Sequence, residues 1–226
     1  MLTENSKQRL AVFDFCETLA DFQTATAFVD FVRNNSKTPS VRLRHAIYVV
    51  LVKSQIVKLL NAITAHRYSI GKHIKLWQLR GLPQATVETL ARRFYVECIE
   101  PHLIGPVVER LRQMQQEGCS VGLSSGGYDV YLKYFVEAYG LDFCQCSVIQ
   151  FKNGRCLGRM AGRDCMRNEK VRRLQSAFGS SDISSVAFSD SDSDLPLLQW
   201  ATEAVVVSRG RHQKWIEKYH FNEIIW

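Results

Sequence analysis

Three short apolar segments, each with an acidic or a hydroxyl-bearing residue at or next to its end, constrain the fold of this chain more than any other feature. They are residues 9–15 (RLAVFDF), 120–125 (SVGLSS) and 184–190 (SSVAFSD), and a fourth apolar segment (AVVVS) follows at residues 204–208. Continuous apolar runs of this length are typical of strands that are buried on both faces of a parallel sheet. We therefore predict four such strands.

Helical patterns lie between these strands. Apolar residues recur every three to four positions in residues 107–116, 130–139 and 169–178. Strands that alternate with helices favour right-handed crossovers and a parallel sheet, so the predicted fold class is α/β with three layers. Residues 144–160 differ, because Asn153-Gly154 separates two short runs and predicts a small β-hairpin.

A long helical region interrupts this alternation after the first strand. Helical patterns cover residues 19–33, 41–63, 70–79 and 85–98, with Pro residues between them. We predict a catalytic core formed by residues 1–19 and 109–226, and an all-helical domain formed by residues 20–108.

The helical region also carries the charge of the chain. It holds 12 Lys and Arg against 5 Asp and Glu, which accounts for the whole net charge of +7. Such a surface attracts anions. Nucleic acid is not an expected partner, because the charges alternate with long apolar runs and no base-stacking module is recognisable. Residues 41–63 are apolar and flanked by basic residues, so peripheral contact with a membrane surface stays open as an alternative, although no run is long enough to span a membrane.

Cysteine usage and the first residues indicate the compartment. The seven cysteines form no CxxC pair, and the segment MLTENSKQRL lacks the apolar core of a signal peptide. We therefore expect neither a disulfide framework nor a zinc site, and we expect a cytoplasmic protein.

The chemistry of the chain is concentrated where its strands end. Open parallel sheets bind ligands beyond the carboxyl ends of their strands. The candidate residues at those ends are Asp14, Ser124, Ser125, Gly126, Asp190 and Asp194. Lys170 lies at the start of the helix that leads into the third strand. Carboxylate oxygens suit Mg²⁺, and a glycine turn before a helix suits a phosphate group.

Four motifs in this order resemble the haloacid dehalogenase superfamily of phosphohydrolases, in the branch similar to phosphoserine phosphatases. The motifs are AVFDFCETLA, VGLSSGG, NEKVRRL and VAFSDSDSDLPLL, and they span most of the chain. The resemblance implies a Rossmann-like parallel-sheet core with a helical cap inserted between the first and second motifs. Residues 20–108 occupy that place.

The resemblance also implies a role for each matching residue. Asp14 would attack phosphorus and form an aspartyl-phosphate. Mg²⁺ would be held by Asp14, the backbone carbonyl of Cys16 and Asp190, with Asp194 acting through a water or a neighbouring ligand. The residues implied to bind the phosphoryl group are Ser124 and Lys170, with Ser125 and Gly126 at the substrate. The implied function is a Mg²⁺-dependent phosphatase or phosphotransferase acting on a small phosphorylated metabolite.

Two residues depart from the family pattern. Cys16 stands where the family has an Asp that protonates the leaving oxygen, and a thiol is a weak hydrogen-bond partner. Glu17 is a candidate replacement, although an extended chain would point its side chain away from the site. Gln23 stands where phosphoserine phosphatases have a Glu that pairs with the substrate amine, which disfavours phosphoserine.

These departures leave two alternatives open. One is a family member that binds a phosphorylated ligand without turnover, and the other is a peripheral binder that uses its basic helices. None of these patterns indicates an oligomeric state.

Overall fold

The computed structural model describes residues 9–54, 69–179 and 183–226. Its centre is a seven-stranded sheet with the order β4-β3-β2-β1-β5-β6-β7. The strands are β1 (Leu10–Phe13), β2 (Ser120–Tyr128), β3 (Phe143–Lys152), β4 (Arg155–Ala161), β5 (Ser185–Ser189), β6 (Glu203–Ser208) and β7 (Asn222–Ile225). All neighbours pair in parallel except β3 and β4.

The sheet is covered on both faces, which confirms the predicted three-layer α/β fold. Alternate residues of β1 enter different apolar clusters, with Ala11 and Phe13 in one and Leu10 and Val12 in the other. This is the pattern of a central strand buried on both faces.

The helices divide between these two clusters. The first cluster takes residues of α1 (Thr24–Asn35), α4 (Gln84–Phe94), α5 (Gly105–Gln116) and α6 (Asp129–Tyr139), and the second takes residues of α7 (Asn168–Phe178) and α8 (Leu195–Trp200). Two further helices, α2 (Pro39–Lys53) and α3 (Ile70–Trp77), lie in the helical region after β1. Among the described residues, none of the helices is long and apolar enough to cross a membrane.

The predicted hairpin is confirmed. Strands β3 and β4 pair antiparallel, and Asn153 and Gly154 have φ of 50° and 69°. Two successive positive φ values are what a two-residue type I′ hairpin turn requires, and Asn-Gly is the usual sequence for it.

Two local predictions are wrong, and one strand was not predicted at all. The first helix begins at Thr24 rather than residue 19, because residues 15–20 form a turn in which Leu19 and Ala20 donate backbone hydrogen bonds to Phe15. The expected glycine turn is part of β2, which continues to Tyr128 through a shift in register. Strand β7 was not predicted. It has only four residues and none of them is fully buried, so its sequence shows no run of apolar residues typical of a buried strand.

The other helical predictions are largely confirmed. The helix predicted over residues 41–63 begins two residues earlier, at Pro39, and α2 ends at Lys53. Residues 55–63 of that prediction lie outside the described residues. The helix predicted over residues 85–98 ends at Phe94 and continues as the π-helical turn Tyr95–Ile99.

Backbone hydrogen bonds join the helical region to the sheet at two places. Where the chain enters and leaves the region, the Ile104 N–H donates to the Leu19 carbonyl at 2.9 Å. At the hairpin, the Gly81 N–H donates to the Cys156 carbonyl, and the Cys156 N–H donates to the Leu82 carbonyl, both at 2.8 Å. The division of the chain into a core and a separate helical domain stays a prediction.

Candidate active site

A cavity of about 380 Å³ lies beyond the carboxyl ends of β1, β2 and β5 and is closed on its other side by residues of α1, α2 and α3. Most of the residues predicted from the sequence line it: Asp14, Cys16, Gln23, Ser125, Gly126, Lys170, Asp190 and Asp194. Ser124 is fully buried and does not line the cavity surface. The parallel sheet brings these residues together, as expected from strands whose ends meet at one edge.

Asp14 and Lys170 form the buried centre of the site. Asp14 follows β1, and its backbone N–H donates to the Phe188 carbonyl at 2.9 Å, so its place is set by the β1–β5 pairing. Lys170 lies near the start of α7, and its Nζ is 2.9 Å from Asp14 Oδ1 and 2.5 Å from Asp194 Oδ2. Asp194 also accepts a hydrogen bond of 2.8 Å from Ser189.

Lys170 remains a cation in this position. It is 2% exposed, and burial alone would lower its pKa, but the carboxylates of Asp14 and Asp194 outweigh burial and raise it. Burial raises the pKa of Asp14, an effect that the adjacent Lys170 opposes. A buried lysine held between two carboxylates is a fixed positive charge.

Asp190 supplies a second carboxylate beside Asp14. Thr18 fixes it, because the Thr18 hydroxyl donates to Asp190 Oδ1 at 3.0 Å and accepts from the Asp190 backbone N–H at 3.0 Å. Burial, and then the negative charge of Asp14, raise the pKa of Asp190 to about 7. The Thr18 position was not singled out from the sequence, although the family motif Asp-x-Asp-x-Thr contains it.

The donor set fits Mg²⁺ rather than a metal that takes many side-chain ligands. The described residues contain no group of three or more His, Cys, Asp and Glu side chains arranged to hold a metal. Mg²⁺ takes one or two protein carboxylates and completes its shell with water and phosphate oxygens. Asp14 and Asp190 are two carboxylates that line the cavity and repel each other, and such a pair suits that ion.

Cys16 faces the helical region. Its Sγ lies 3.0 Å from Thr24 Oγ1, and Thr24 Oγ1 lies 2.9 Å from the Tyr131 hydroxyl. Burial, followed by the charge of Asp14, raises the pKa of the thiol, so Cys16 is a protonated side chain at neutral pH. Its hydrogen-bonding capacity is directed at Thr24, which is itself buried.

The prediction that Glu17 points away from the site is wrong. Its φ is 58°, so the chain turns at this residue instead of continuing as an extended strand. The Glu17 carboxylate consequently lines the cavity and accepts a hydrogen bond from the Gln23 amide. Sequence periodicity could not reveal this, because a left-handed residue other than glycine leaves no signal in the pattern.

Gly126 brings the backbone of β2 close to its neighbours. A Cβ atom at this position would lie 3.0 Å from Met166 Cγ and 3.3 Å from Lys72 Nζ. The neighbouring Ser125 accepts a hydrogen bond of 3.2 Å from the Gly127 N–H. Ser124 Oγ lies beneath them, 3.9 Å from Cys165 Sγ.

Lys72 is a site residue that sequence reasoning missed. Its Nζ lies 2.5 Å from Asp164 Oδ1, donates to the Gly126 carbonyl, and sits 5.1 Å from the centre of the Tyr128 ring. Asp164 is also held by the Ser147 hydroxyl at 2.5 Å. These partners come from β2, from β3 and from the loop after β4, so no local motif announces them.

The basic helical region contributes two lysines to the cavity, Lys72 and Lys75. Lys75 is paired with Asp30 at 2.7 Å and lies 5.1 Å from the centre of the Tyr48 ring. Tyr48 and Val52 of α2 also line the cavity, so its outer part is partly apolar.

Comparison with known proteins identifies the family. The model of the haloacid dehalogenase-like hydrolase family matches residues 11–199. The chain belongs to this family. Membership in this superfamily, predicted from the four motifs, is therefore confirmed.

Curated relatives share part of the chain. Protein CicA of Caulobacter vibrioides is 30% identical over 131 residues, which cover 55% of this chain and 57% of CicA. A phosphoserine phosphatase of Archaeoglobus fulgidus is 24% identical over 173 residues, which cover 76% of this chain and 44% of that enzyme. The chain thus spans little more than half of the first relative and less than half of the second.

Solved structures share the fold over nearly the whole chain. A Bordetella pertussis Tohama I protein of unknown function superposes with a TM-score of 0.76 at 19% identity, covering 97% of this chain and 99% of that one. A phosphoserine phosphatase in its apo form superposes with a TM-score of 0.62 at 20% identity, covering 97% and 94%. At these identities the likeness concerns the fold.

Proposed function

We propose that this chain is a Mg²⁺-dependent phosphatase that hydrolyses a small phosphorylated compound through a phosphoryl group carried on Asp14. The observation that carries the proposal is the buried ion pair between Asp14 and Lys170, with Asp190 beside it, in the cavity between the sheet and helices α1, α2 and α3. Phosphoserine phosphatases among the relatives favour a phosphatase over other hydrolases of the family. The helical region, residues 20–108, acts as the cap that closes the cavity from the other side.

Each residue of the site has a chemical task in this reaction. An Asp14 carboxylate oxygen forms a bond to phosphorus while the bond between phosphorus and the leaving oxygen breaks. Lys170 neutralises charge on the phosphoryl oxygens, and Asp194 holds Lys170 in place. A water then attacks phosphorus, and the bond to Asp14 breaks, which releases phosphate and restores the carboxylate.

Further groups position the phosphoryl group. Ser125 and Gly126 of β2 line the cavity that would receive it, and Ser124 is buried next to them. Asp14, Asp190 and the backbone carbonyl of Cys16 would hold a Mg²⁺, whose positive charge would reduce the repulsion between the Asp14 carboxylate and the phosphate group of the substrate. Thr18 keeps the Asp190 carboxylate turned toward this position.

The leaving oxygen needs a proton, and the chain lacks the usual acid. Cys16 is directed at Thr24, and Glu17 lines the cavity and is the carboxyl group that we propose takes over. Without a well-placed acid, phosphates with acidic leaving groups react readily and alkyl phosphates react slowly. We therefore propose aryl phosphates, acyl phosphates or phosphoanhydrides as the preferred class.

The outer cavity disfavours phosphoserine. The cavity lining includes the cations Lys72 and Lys75, and Gln23 is uncharged, so it cannot pair with the substrate ammonium as a carboxylate would.

The nucleophile is tested with Asp14→Asn, with Asp192→Asn as a matched control from the loop after β5. Asp192 does not line the cavity, so its variant should hydrolyse an aryl phosphate in Mg²⁺ at the wild-type rate. Asp14→Asn should lose at least about 10³-fold in turnover and should trap no acid-stable phosphate on the protein. An Asp14→Asn variant with wild-type turnover would contradict the mechanism.

The missing acid is tested with Cys16→Asp. The variant should hydrolyse alkyl phosphates up to about 10²-fold faster than the wild type, while aryl phosphates change little. Glu17→Gln in the wild-type background reports the contribution of Glu17 to alkyl phosphates. If the wild type hydrolyses both classes equally well and Cys16→Asp gains nothing selectively, the acid is already supplied by another group.

A further inference from the structure

Helix α2 is the most exposed apolar element in the described chain. Nine of its 15 residues are apolar, yet only Val41 is buried. Leu43 is 65% exposed, Ile47 42% and Val50 66%. A helix that serves only to cover a core buries its apolar stripe, as α1 does with Phe28, Val29 and Val32.

The exposed apolar residues form one face. Positions 43, 47 and 50 follow the i, i+4, i+7 spacing that places side chains along a single side of a helix, and Ala46 lies between them on the same side. We call Leu43, Ala46, Ile47 and Val50 the outer face of α2. Tyr48 and Val52 point in other directions and line the cavity, so the helix has an inner side at the candidate active site and an outer side in water.

Cations border the outer face, and acids are missing from it. Arg42 and Lys53 are exposed and lie next to it on the helical wheel, and α2 contains neither Asp nor Glu. Within the described ranges, no carboxylate pairs with either cation. Arg44 is different, because it turns inward to Ser40 and to the ring of Trp77.

We propose that the outer face of α2 docks on the surface of a membrane that contains anionic lipids. An apolar face bordered by Arg and Lys is what an interfacial helix needs, with its apolar side chains entering the headgroup region and its cations meeting lipid phosphates. Because α2 contains neither Asp nor Glu, no carboxylate on this helix would repel the anionic lipid headgroups. This proposal stands independently of the phosphatase activity.

A second copy of the chain fits the face less well. A helix of this length is about 22 Å long, so a single helical stripe offers only roughly 200 Å², whereas a stable dimer buries about 800 Å² on each partner. Two copies would also bring Arg42 and Lys53 toward the same cations of the partner.

The test is binding of the full chain to vesicles, with matched variants. Wild-type protein is sedimented with phosphatidylcholine vesicles and with vesicles that also contain phosphatidylglycerol. Val50→Asp removes an apolar contact from the outer face, and Val96→Asp is its control, because Val96 is 50% exposed on the π-helical turn after α4. Lys53→Glu removes a bordering cation, and Lys152→Glu is its control on the exposed end of β3.

We expect binding to the anionic vesicles that weakens with salt and is at least tenfold weaker for Val50→Asp. Lys53→Glu should lose about fivefold or more, and both controls should bind like the wild type. Melting temperatures of all five proteins are measured, so that a folding defect is not read as a loss of binding.

Three results would overturn the proposal. The first is no binding of the folded wild type to anionic vesicles. The second is equal losses in the outer-face variants and in their controls, which would indicate general electrostatic adsorption. The third is a dimer in light scattering that Val50→Asp dissociates, which would mean that a second copy covers the face.

Discussion

Removing the buried cation Lys170 should be among the most destabilising single changes in this chain. Lys170→Met keeps most of the side-chain volume but leaves Asp14 and Asp194 without the group that lies 2.9 Å and 2.5 Å from them. Removing one partner of a buried ion pair costs about 3–5 kcal/mol, because the remaining charge has neither water nor a counter-ion. That is a large part of the roughly 5–15 kcal/mol by which a folded domain is stable.

The loss is measured by urea unfolding in the absence of divalent ions. With a denaturant slope of about 3 kcal/mol per molar, the midpoint should fall by about 1–1.7 M at pH 7. Lys152→Met is the matched control, because Lys152 is exposed on β3, and its midpoint should move by less than about 0.2 M.

The pH dependence of the loss in unfolding free energy caused by Lys170→Met identifies the cause of that loss. Burial raises the pKa of Asp14 in the folded protein, and without Lys170 that pKa should rise further. An acid whose folded pKa is raised destabilises the fold fully above that pKa, and the effect falls as the pH drops from there toward the lower pKa of the unfolded chain. The loss of stability in Lys170→Met should therefore become smaller as the pH is lowered from 7. A deficit below about 0.5 kcal/mol at pH 7, or one that stays constant with pH, would show that the carboxylates do not depend on Lys170.

Two further predictions concern metal binding and surface charge. Mg²⁺ at about one hundred times its dissociation constant should stabilise the fold by about 2.7 kcal/mol. In differential scanning fluorimetry the melting temperature should then rise by roughly 5–10 °C. Chelation of the metal, or the substitution Asp190→Asn, should abolish this rise. Hydrogen bonds from Arg172 and then Arg173 lower the pKa of Glu169 to about 2, so this group stabilises the fold above pH 4.5 and loses that effect as the pH falls toward 2. Glu169→Gln should therefore lower stability by about 0.5–1 kcal/mol at pH 7 and by almost nothing at pH 2, as followed by urea midpoints, and an equal loss at both pH values would refute the charge argument.

The parts of the site that follow from strand order were predictable from sequence. Asp14 and Asp190 each end a buried strand, and β1 and β5 are neighbours, so their carboxylates had to meet at one edge of the sheet. Lys170 was predicted as a site residue from its position at the start of a helix, and in the structure it lies between Asp14 and Asp194. Periodicity and topology suffice for residues of this kind.

The remaining parts depend on geometry that periodicity does not encode. Glu17 turns into the cavity because one residue has a positive φ, and the helix predicted from residue 19 begins only at Thr24 because a turn precedes it. Lys72 and Asp164 meet although 92 positions separate them, so only the folded chain reveals their ion pair. Side-chain partners that are distant in sequence are the part that a single sequence leaves open.

The pairing between the helical region and the hairpin limits how the cavity can open. A segment attached to the sheet only where residues 19–21 meet residues 102–104 could swing about that line as a rigid body. The hydrogen bonds between residues 81–84 and residues 154–156 form a second attachment away from that line. They prevent the segment from rotating about it as a rigid body. If the chain has the proposed phosphatase activity, substrate would enter and product would leave without a hinge motion of this region, and turnover should show little dependence on solvent viscosity. Breaking the hairpin contact, rather than altering the chain crossings, is the change that would convert this region into a hinged lid.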